Sequence, residues 1–196
     1  STCEFVFQII EGLGWVSNIS KDIASCLYTG IVTDTGSFRF PSVTAATHRA
    51  VAMLIDAGAN HSQIHEKIKD NARPDRLKLL GIALKNMVFV TEHKAAYITI
   101  SQDELDSCNY QKGYTEGFVN YGLSVAGIEM AVLMTESKKE NMIKMSFRSK
   151  GDLAVNLFAK TYFEGGGHIN AAGGKSNKSL QETEAYFLKS LATFLS

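Results

Sequence analysis

Apolar residues recur with helical spacing over the first ninety or so positions, and from about residue 95 onward strand-like runs appear between the helical ones. Phe5, Val6, Ile9, Ile10 and Leu13 share one helix face, entered at Ser1 or Thr2 as N-cap, with Glu4 in the first turn where it favours the helix dipole. After a break at Gly12 and Gly14, a connector ends in Ser20, which predicts the cap of a helix over Lys21–Thr33. Ile23, Leu27 and Ile31 stand there at i, i+4 and i+8, with Ala24 beside them. Thr44–Ala57 repeats the pattern and closes on Gly58, a suitable residue just beyond a helix end. Asn60 caps a shorter helix through Lys69, with Ile64 and Ile68 inward. Arg73-Pro74-Asp75 is a break whose proline suits a first helical turn, and Leu77, Leu80, Leu84 and Met87 predict a helix over Arg76–Val88.

The pattern then changes. Ala95–Ile100 is a short β-branched strand, followed by one or two helical turns near Asp103–Cys108. Gly113–Glu116 forms a loop and cap leading into Gly117–Leu123. Ile128–Thr135 is almost wholly apolar and predicts a central, buried strand. The charged turn Glu136–Glu140 joins it to Met142–Phe147, where Ile143, Met145 and Phe147 alternate with Lys144 and Ser146. This is a hairpin with one buried face, and Arg148 stands at its end. Asp152–Tyr162 is an amphipathic helix that hands over to a glycine-rich run, and Leu180–Leu195, capped by Ser179, closes the chain.

A chain of 196 residues can bury one or two cores. Lys+Arg and Asp+Glu balance at 20 each, so no global field announces a long nucleic acid or a membrane surface. Cys3, Cys26 and Cys108 are scattered and odd in number, which suits reduced thiols in a cytoplasmic protein. No apolar stretch approaches the roughly 20 residues of a membrane span, and no secretory signal pattern is found.

The residues with most chemical content lie between Glu164 and Gly174, in Glu-Gly-Gly-Gly-His-Ile-Asn-Ala-Ala-Gly-Gly. Three glycines leave backbone N–H groups unshielded and free to form an anion-binding nest, and His168 adds a titratable donor. The competing reading is a tight turn beside a partly buried histidine. Upstream, Asp34 ends a helix at the negative end of its dipole, which calls for a compensating cation; it can equally cap the following turn. Arg148 can fork two N–H groups onto a phosphate, or pair with Asp152 on the surface. His61 and His65 stand four apart, but no third ligand has matching spacing, so they read as surface or capping residues, as does His48.

Gly165-Gly166-Gly167-His168 followed by Ala171-Ala172-Gly173 resembles the GGGH…AAG signature of the DHHA1 domain, the substrate-binding partner of the DHH phosphoesterases. Gly30-Ile31-Val32-Thr33-Asp34-Thr35-Gly36-Ser37-Phe38 is similar to the last metal-binding motif of the DHH domain. Ser1-Thr2-Cys3-Glu4 is similar to a stretch that in this family follows the Asp-His-His motif. Neither that motif nor the earlier aspartate motifs occur in the sequence, so the expected content is the C-terminal portion of such a protein. The implied class is α/β: residues 1–73 as the helical remainder of a DHH domain, 74–91 as a linker helix, and 92–196 as a DHHA1 domain with a mixed sheet flanked by helices.

The resemblance implies a metal-dependent phosphoesterase of the nano-RNA nuclease and 3′-phosphoadenosine-5′-phosphate (pAp) phosphatase type. Asp34 would be a metal ligand, and Asp34 and His168 catalytic residues. Arg148, Ser149, Gly165, Gly166, Gly167 and His168 would bind substrate. Ser149, Lys150 and Gly151 continue an Arg-Ser-basic-Gly stretch similar to that subgroup, and Glu116 and Asn120 fall in a further similar stretch that helix capping explains nearly as well. Two Mn²⁺ or Mg²⁺ ions are expected, but one carboxylate cannot hold them, so the pair belongs to the intact protein and this chain alone should catalyse poorly. Expected partners are short RNA or DNA oligonucleotides or pAp, the missing N-terminal half of the DHH domain and a second copy of the chain, with no membrane. Cyclic-dinucleotide, single-stranded-DNA and polyphosphate hydrolases share the motifs. A non-catalytic nucleic-acid-binding module, like the C-terminal domain of alanyl-tRNA synthetases, is the rival, and Asp34 counts against it.

Overall fold

A computed structural model describes residues 1–195, which divide into two compact units, 1–72 and 73–195. The first unit is all-helical. Its elements are α1 (Thr2–Gly12), a 3₁₀ turn at Val16–Asn18, α2 (Lys21–Asp34), α3 (Ala45–Asp56) and α4 (His61–Lys69). Three of the helices open on side-chain caps. The Ser20 hydroxyl accepts from the Ile23 amide, Thr44 and Thr47 form a reciprocal capping box, and the Asn60 carbonyl accepts from the Gln63 amide. Ser1, by contrast, makes no side-chain cap, and Glu4 instead accepts a 2.7 Å hydrogen bond from Thr47 Oγ1, tying α1 to α3. The core is Phe7, Ala24, Leu27, Tyr28, Ile31, Val32, Val51 and Leu54. Ile23, expected on the inner face of α2, is exposed; the buried stripe is centred one residue later, on Ala24, Tyr28 and Ile31.

The second unit is a three-layer α/β structure around one six-stranded sheet. Helix α5 (Pro74–Lys85) leads into β1 (Met87–Val90), β2 (Ala95–Ile100), α6 (Gln102–Ser107), α7 (Val119–Leu123) and β3 (Met130–Ser137). Then come β4 (Met142–Ser149), α8 (Val155–Tyr162), β5 (Gly166–His168), β6 (Ala171–Ser176) and α9 (Leu180–Leu195). The strand order is β1-β2-β3-β4-β6-β5; β2 and β3 run parallel, joined through α6 and α7, and every other pair is antiparallel.

Both sheet faces carry a core. On one, Met145, Phe147, Val132 and Met134 meet Phe158, Phe163, Phe187 and Leu191 from α8, α9 and their connections. On the other, Ile98, Ile100, Ala131 and Leu133 are covered by Leu79 and Ala83 of α5, Leu105 of α6, and Phe118 and Val119 at α7. Thus α5, the expected linker helix, is packed into the second unit. It also ends earlier than its apolar spacing suggested, because Met87–Val90 pairs with β2 as an edge strand. Side-chain clasps pin the layers. Tyr97 donates a 2.6 Å hydrogen bond to Glu184 of α9, and the buried Thr183 hydroxyl donates to Ser176 Oγ of β6 at 2.8 Å.

The largest departure from the sequence reading is the glycine run. It is not an open nest but the edge strand of a hairpin, with Gly166, Gly167 and His168 paired to Gly173, Ala172 and Ala171. The glycines are needed for close approach: a Cβ on Gly167, whose φ is +148°, would stand 2.5 Å from the Ala171 carbonyl oxygen. Gly174 lies against Phe163 and Phe147 in the same way. Strand β4 also runs two residues further than expected, so Arg148 and Ser149 lie within the sheet, and α8 starts at Val155 rather than Asp152.

Candidate substrate-binding face

Residues directly opposite across paired strands project to the same side of a sheet. The register therefore aligns Ala131, Arg148, Ala171 and His168 in one row, and Leu133, Ser146, Gly173 and Gly166 in the next. Both rows face away from α8 and α9. At their β2–β3 end the helices α5, α6 and α7 cover them, with Gly122 of α7 so close to Ala131 that a Cβ there would stand 2.9 Å from the alanine methyl. Over β4, β6 and β5 the cover stops. Gly166, His168 and Gly173 are exposed, and Ser146, Arg148 and Ala171 are half-buried. The result is an open strip of sheet floored by glycine, alanine and serine, with Arg148 and His168 at one end.

Arg148 is the electrostatic centre of this strip. Its Nη1 donates 2.9 Å to the Phe147 carbonyl, and no carboxylate lies within ion-pairing range among the described residues. The surface pair with Asp152, one of the two readings from sequence, is not formed. Burial pulls the Arg148 pKa down from the ordinary guanidinium value, and the group remains a cation. A half-buried guanidinium without a counter-ion retains donors for a ligand anion. His168, one strand beyond Ala171, is exposed, with no hydrogen-bond or ion-pair partner among the described residues, so both ring nitrogens are free. As an edge strand, β5 also leaves backbone N–H and C=O groups unpaired along its outer side.

Ser149 points the other way. Its buried hydroxyl donates to the Leu153 carbonyl at 2.6 Å and accepts from Asn170 Nδ2 at 3.0 Å. Asn170 Nδ2 also donates to the Gly151 carbonyl, the Asn170 carbonyl accepts from the Ser149 amide, and the Ile169 carbonyl accepts from the Val155 amide. This network clamps the β5–β6 turn onto the end of β4 and the start of α8, and so fixes His168 relative to Arg148. Lys150 is spent on the Ile128 carbonyl, 2.9 Å away. Glu116 and Asn120 are exposed; the Glu116 backbone carbonyl accepts from Arg76, and neither side chain has a hydrogen-bond or ion-pair partner among the described residues. Ser146 and Asn170 were not singled out from sequence. The alternation around Met145 carried a signal for the first, but the role of the second depends wholly on the hairpin.

Asp34 lies in the helical unit, as the last residue of α2. Its carboxylate is 60% exposed and stands at the C-terminal end of the helix, where the dipole favours a cation. The turn after it is held by the buried Thr35 hydroxyl, which donates to the Ile31 carbonyl and accepts from the Phe38 amide. Gly36, Ser37 and Phe38 follow with φ of +58°, +59° and +65°, a left-handed turn that costs about 1–3 kcal/mol at each non-glycine position. Among the described residues no group of three or more His, Cys, Asp or Glu side chains could hold a metal ion. Asp34 alone does not fit a two-metal centre. His65 is not a ligand of such a group either: its Nε2 is 3.2 Å from the Tyr28 hydroxyl.

Residues 88–196 match the model of the DHHA1 domain. The chain belongs to the DHHA1 family. It is 31% identical to the bifunctional oligoribonuclease and PAP phosphatase NrnA of Bacillus subtilis over 88% of its length, and 29% identical to the Thermus thermophilus NrnA over 95%. In each case it covers 54% of the relative, so the chain spans about half the length of the curated relatives it matches. A crystal structure of an exopolyphosphatase-related protein from Bacteroides fragilis superposes with a TM-score of 0.95 at 35% identity, covering 99% of this chain and 56% of that one. The expected α/β class with a helix-flanked mixed sheet is what the structure has. No helix among the described residues is long and apolar enough to cross a membrane.

Proposed function

We propose that this DHHA1 family chain is the substrate-gripping portion of a cytoplasmic phosphoesterase that hydrolyses short oligonucleotides, pAp, or both. The observation that carries this reading is Arg148, a half-buried cation without a counter-ion, set on an open sheet face in the same cross-strand row as His168. Arg148 clamps a substrate phosphate in bidentate fashion, and His168 and the outer edge of Gly166–His168 donate beside it, whereas the Gly165 amide is taken by the Ala159 carbonyl. Ser149 acts by holding the hairpin in place. The relatives named for oligoribonuclease and PAP phosphatase activity support the substrate class. Asp34 contributes one carboxylate to a Mn²⁺ or Mg²⁺ centre whose other ligands lie outside these residues; such ions supply Lewis-acid stabilisation and an activated water when bound.

Calorimetric titration with pAp tests the reading. The wild-type chain binds, while Arg148→Met and His168→Ala each weaken binding at least tenfold with unchanged thermal midpoints. Mn²⁺-dependent turnover of pAp by the chain stays at background in both wild type and Asp34→Asn. Binding that ignores Arg148 sinks the phosphate clamp. Turnover lost in Asp34→Asn would show that a working metal centre is complete within this chain. The other reading, a non-catalytic nucleic-acid-binding module, is favoured if an oligonucleotide binds without any dependence on Arg148 or His168.

A further inference from the structure

The open strip continues for one more row beyond Ser146 and Gly173. There Lys144 of β4 stands directly opposite Lys175 of β6, on the same face as Arg148 and His168. Like charges directly opposite in a sheet repel, so this pairing has to be compensated. The compensation is local and weak: Lys144 pairs with Glu140, and Lys175 with Glu164 at 3.2 Å, all four side chains being about half exposed. Exposed pairs of this kind contribute under ~1 kcal/mol and are readily exchanged. The four-residue separation along β4 places the lysine row about 13 Å from Arg148 at ~3.3 Å per residue. Between the two rows lie Ser146, Gly173 and Gly166, none large enough to block a ligand lying across the sheet.

We infer that Lys144 and Lys175 form a second phosphate station, which senses the length of an oligonucleotide anchored at Arg148. The inference rests on the phosphate clamp proposed above and adds a length preference to it. Phosphates on a stacked strand lie ~3.4 Å apart, so the end phosphates of a 5′-phosphorylated tetranucleotide stand about 10 Å apart, and the long, mobile arginine and lysine side chains reach across the remainder to both stations. The mononucleotide pAp reaches only the first. Glu140 and Glu164 act as placeholders that the arriving backbone displaces.

The test is binding of a labelled RNA tetranucleotide and of pAp to the full chain at 50 and 200 mM salt. Lys144→Ala/Lys175→Ala should weaken tetranucleotide binding and leave pAp binding unchanged. With a slope of about −0.7 per phosphate neutralised on a single strand and one phosphate at the lysine station, the wild type should lose about 2.6-fold more tetranucleotide affinity than the double variant over that fourfold salt range. Glu140→Gln/Glu164→Gln should strengthen tetranucleotide binding and spare pAp, a gain that misfolding cannot mimic. Equal effects on both ligands, or no effect on either, overturns the second station while the clamp stands. Lysine-dependent binding that ignores Arg148→Met overturns the clamp and leaves the lysine row as a phosphate contact of its own. A wild type that binds no tetranucleotide overturns both.

Discussion

Two adjacent glycines should respond in opposite ways to one added methyl group. At Gly167, alanine has to adopt a φ of +148° and place its Cβ 2.5 Å from the Ala171 carbonyl oxygen and 2.8 Å from Ala172 Cα. The conformation costs about 1–3 kcal/mol. The overlap is with backbone, which cannot yield without separating β5 from β6, and overpacking adds about 1–3 kcal/mol more. The expected loss is therefore ~2–6 kcal/mol. At Gly166 a Cβ meets nothing within 4 Å, and φ is not in the left-handed range. Gly166→Ala should be neutral, or stabilising by about 0.4–1 kcal/mol through a less flexible unfolded chain. At roughly 3–4 °C per kcal/mol for a unit of this size, Gly167→Ala should melt ~6–24 °C lower and Gly166→Ala within ~4 °C of wild type. Circular-dichroism melts give the first readout, and hydrogen exchange of the 166–168 amides gives the second. The same Gly166 methyl projects onto the open strip beside Ser146, so this stable variant should bind a tetranucleotide less tightly. Equal melting temperatures for the two variants would refute the hairpin and favour the open anion-binding loop that the glycines alone suggest.

Three further outcomes follow from the packing. Ser149→Ala removes a buried hydroxyl that bridges Leu153 and Asn170, and should cost about 1–3 kcal/mol by thermal melting; a variant as stable as wild type would show that the clamp on the hairpin is not held there. Tyr97 has its pKa raised, first by burial and then by its hydrogen bond to the Glu184 carboxylate, so its contribution is fully present below the ordinary tyrosine value of about 10 and is lost as pH rises through the higher folded value. Denaturant titrations from pH 9 to 11 should show stability falling, with a shallower fall in Tyr97→Phe; parallel curves would assign the loss to other groups. Asn156 leaves its Oδ1 buried without a partner, so Asn156→Leu, similar in volume, should hold or raise the melting temperature, whereas a fall of several degrees would reveal a hydrogen bond at that site.

Local rules were enough to place most helices and the hairpin from β3 to β4. Ser20, Thr44 and Asn60 start their helices because a side-chain oxygen there meets an orphan amide in any context, and Pro74 opens α5 because it lacks the hydrogen that an interior position would need. The alternation of Ile143, Met145 and Phe147 with Lys144 and Ser146 fixed which side of β4 is buried before its neighbours were known. The glycine signature marked the domain family but not the shape of the run, because glycine permits both a nest and a strand, and only pairing with Ala171–Gly173 selects the strand. Strand β1 was hidden for a related reason: Met87–Val90 continues a helical apolar spacing, and the unpaired edge of β2 outweighs that propensity. Whether Arg148 is free or paired, whether Ser149 faces ligand or core, and how Lys144 comes to oppose Lys175 are all properties of register. Residues 148 and 168, or 144 and 175, become neighbours only when strands distant in sequence are aligned, and that alignment is set by burying the opposite face of the sheet.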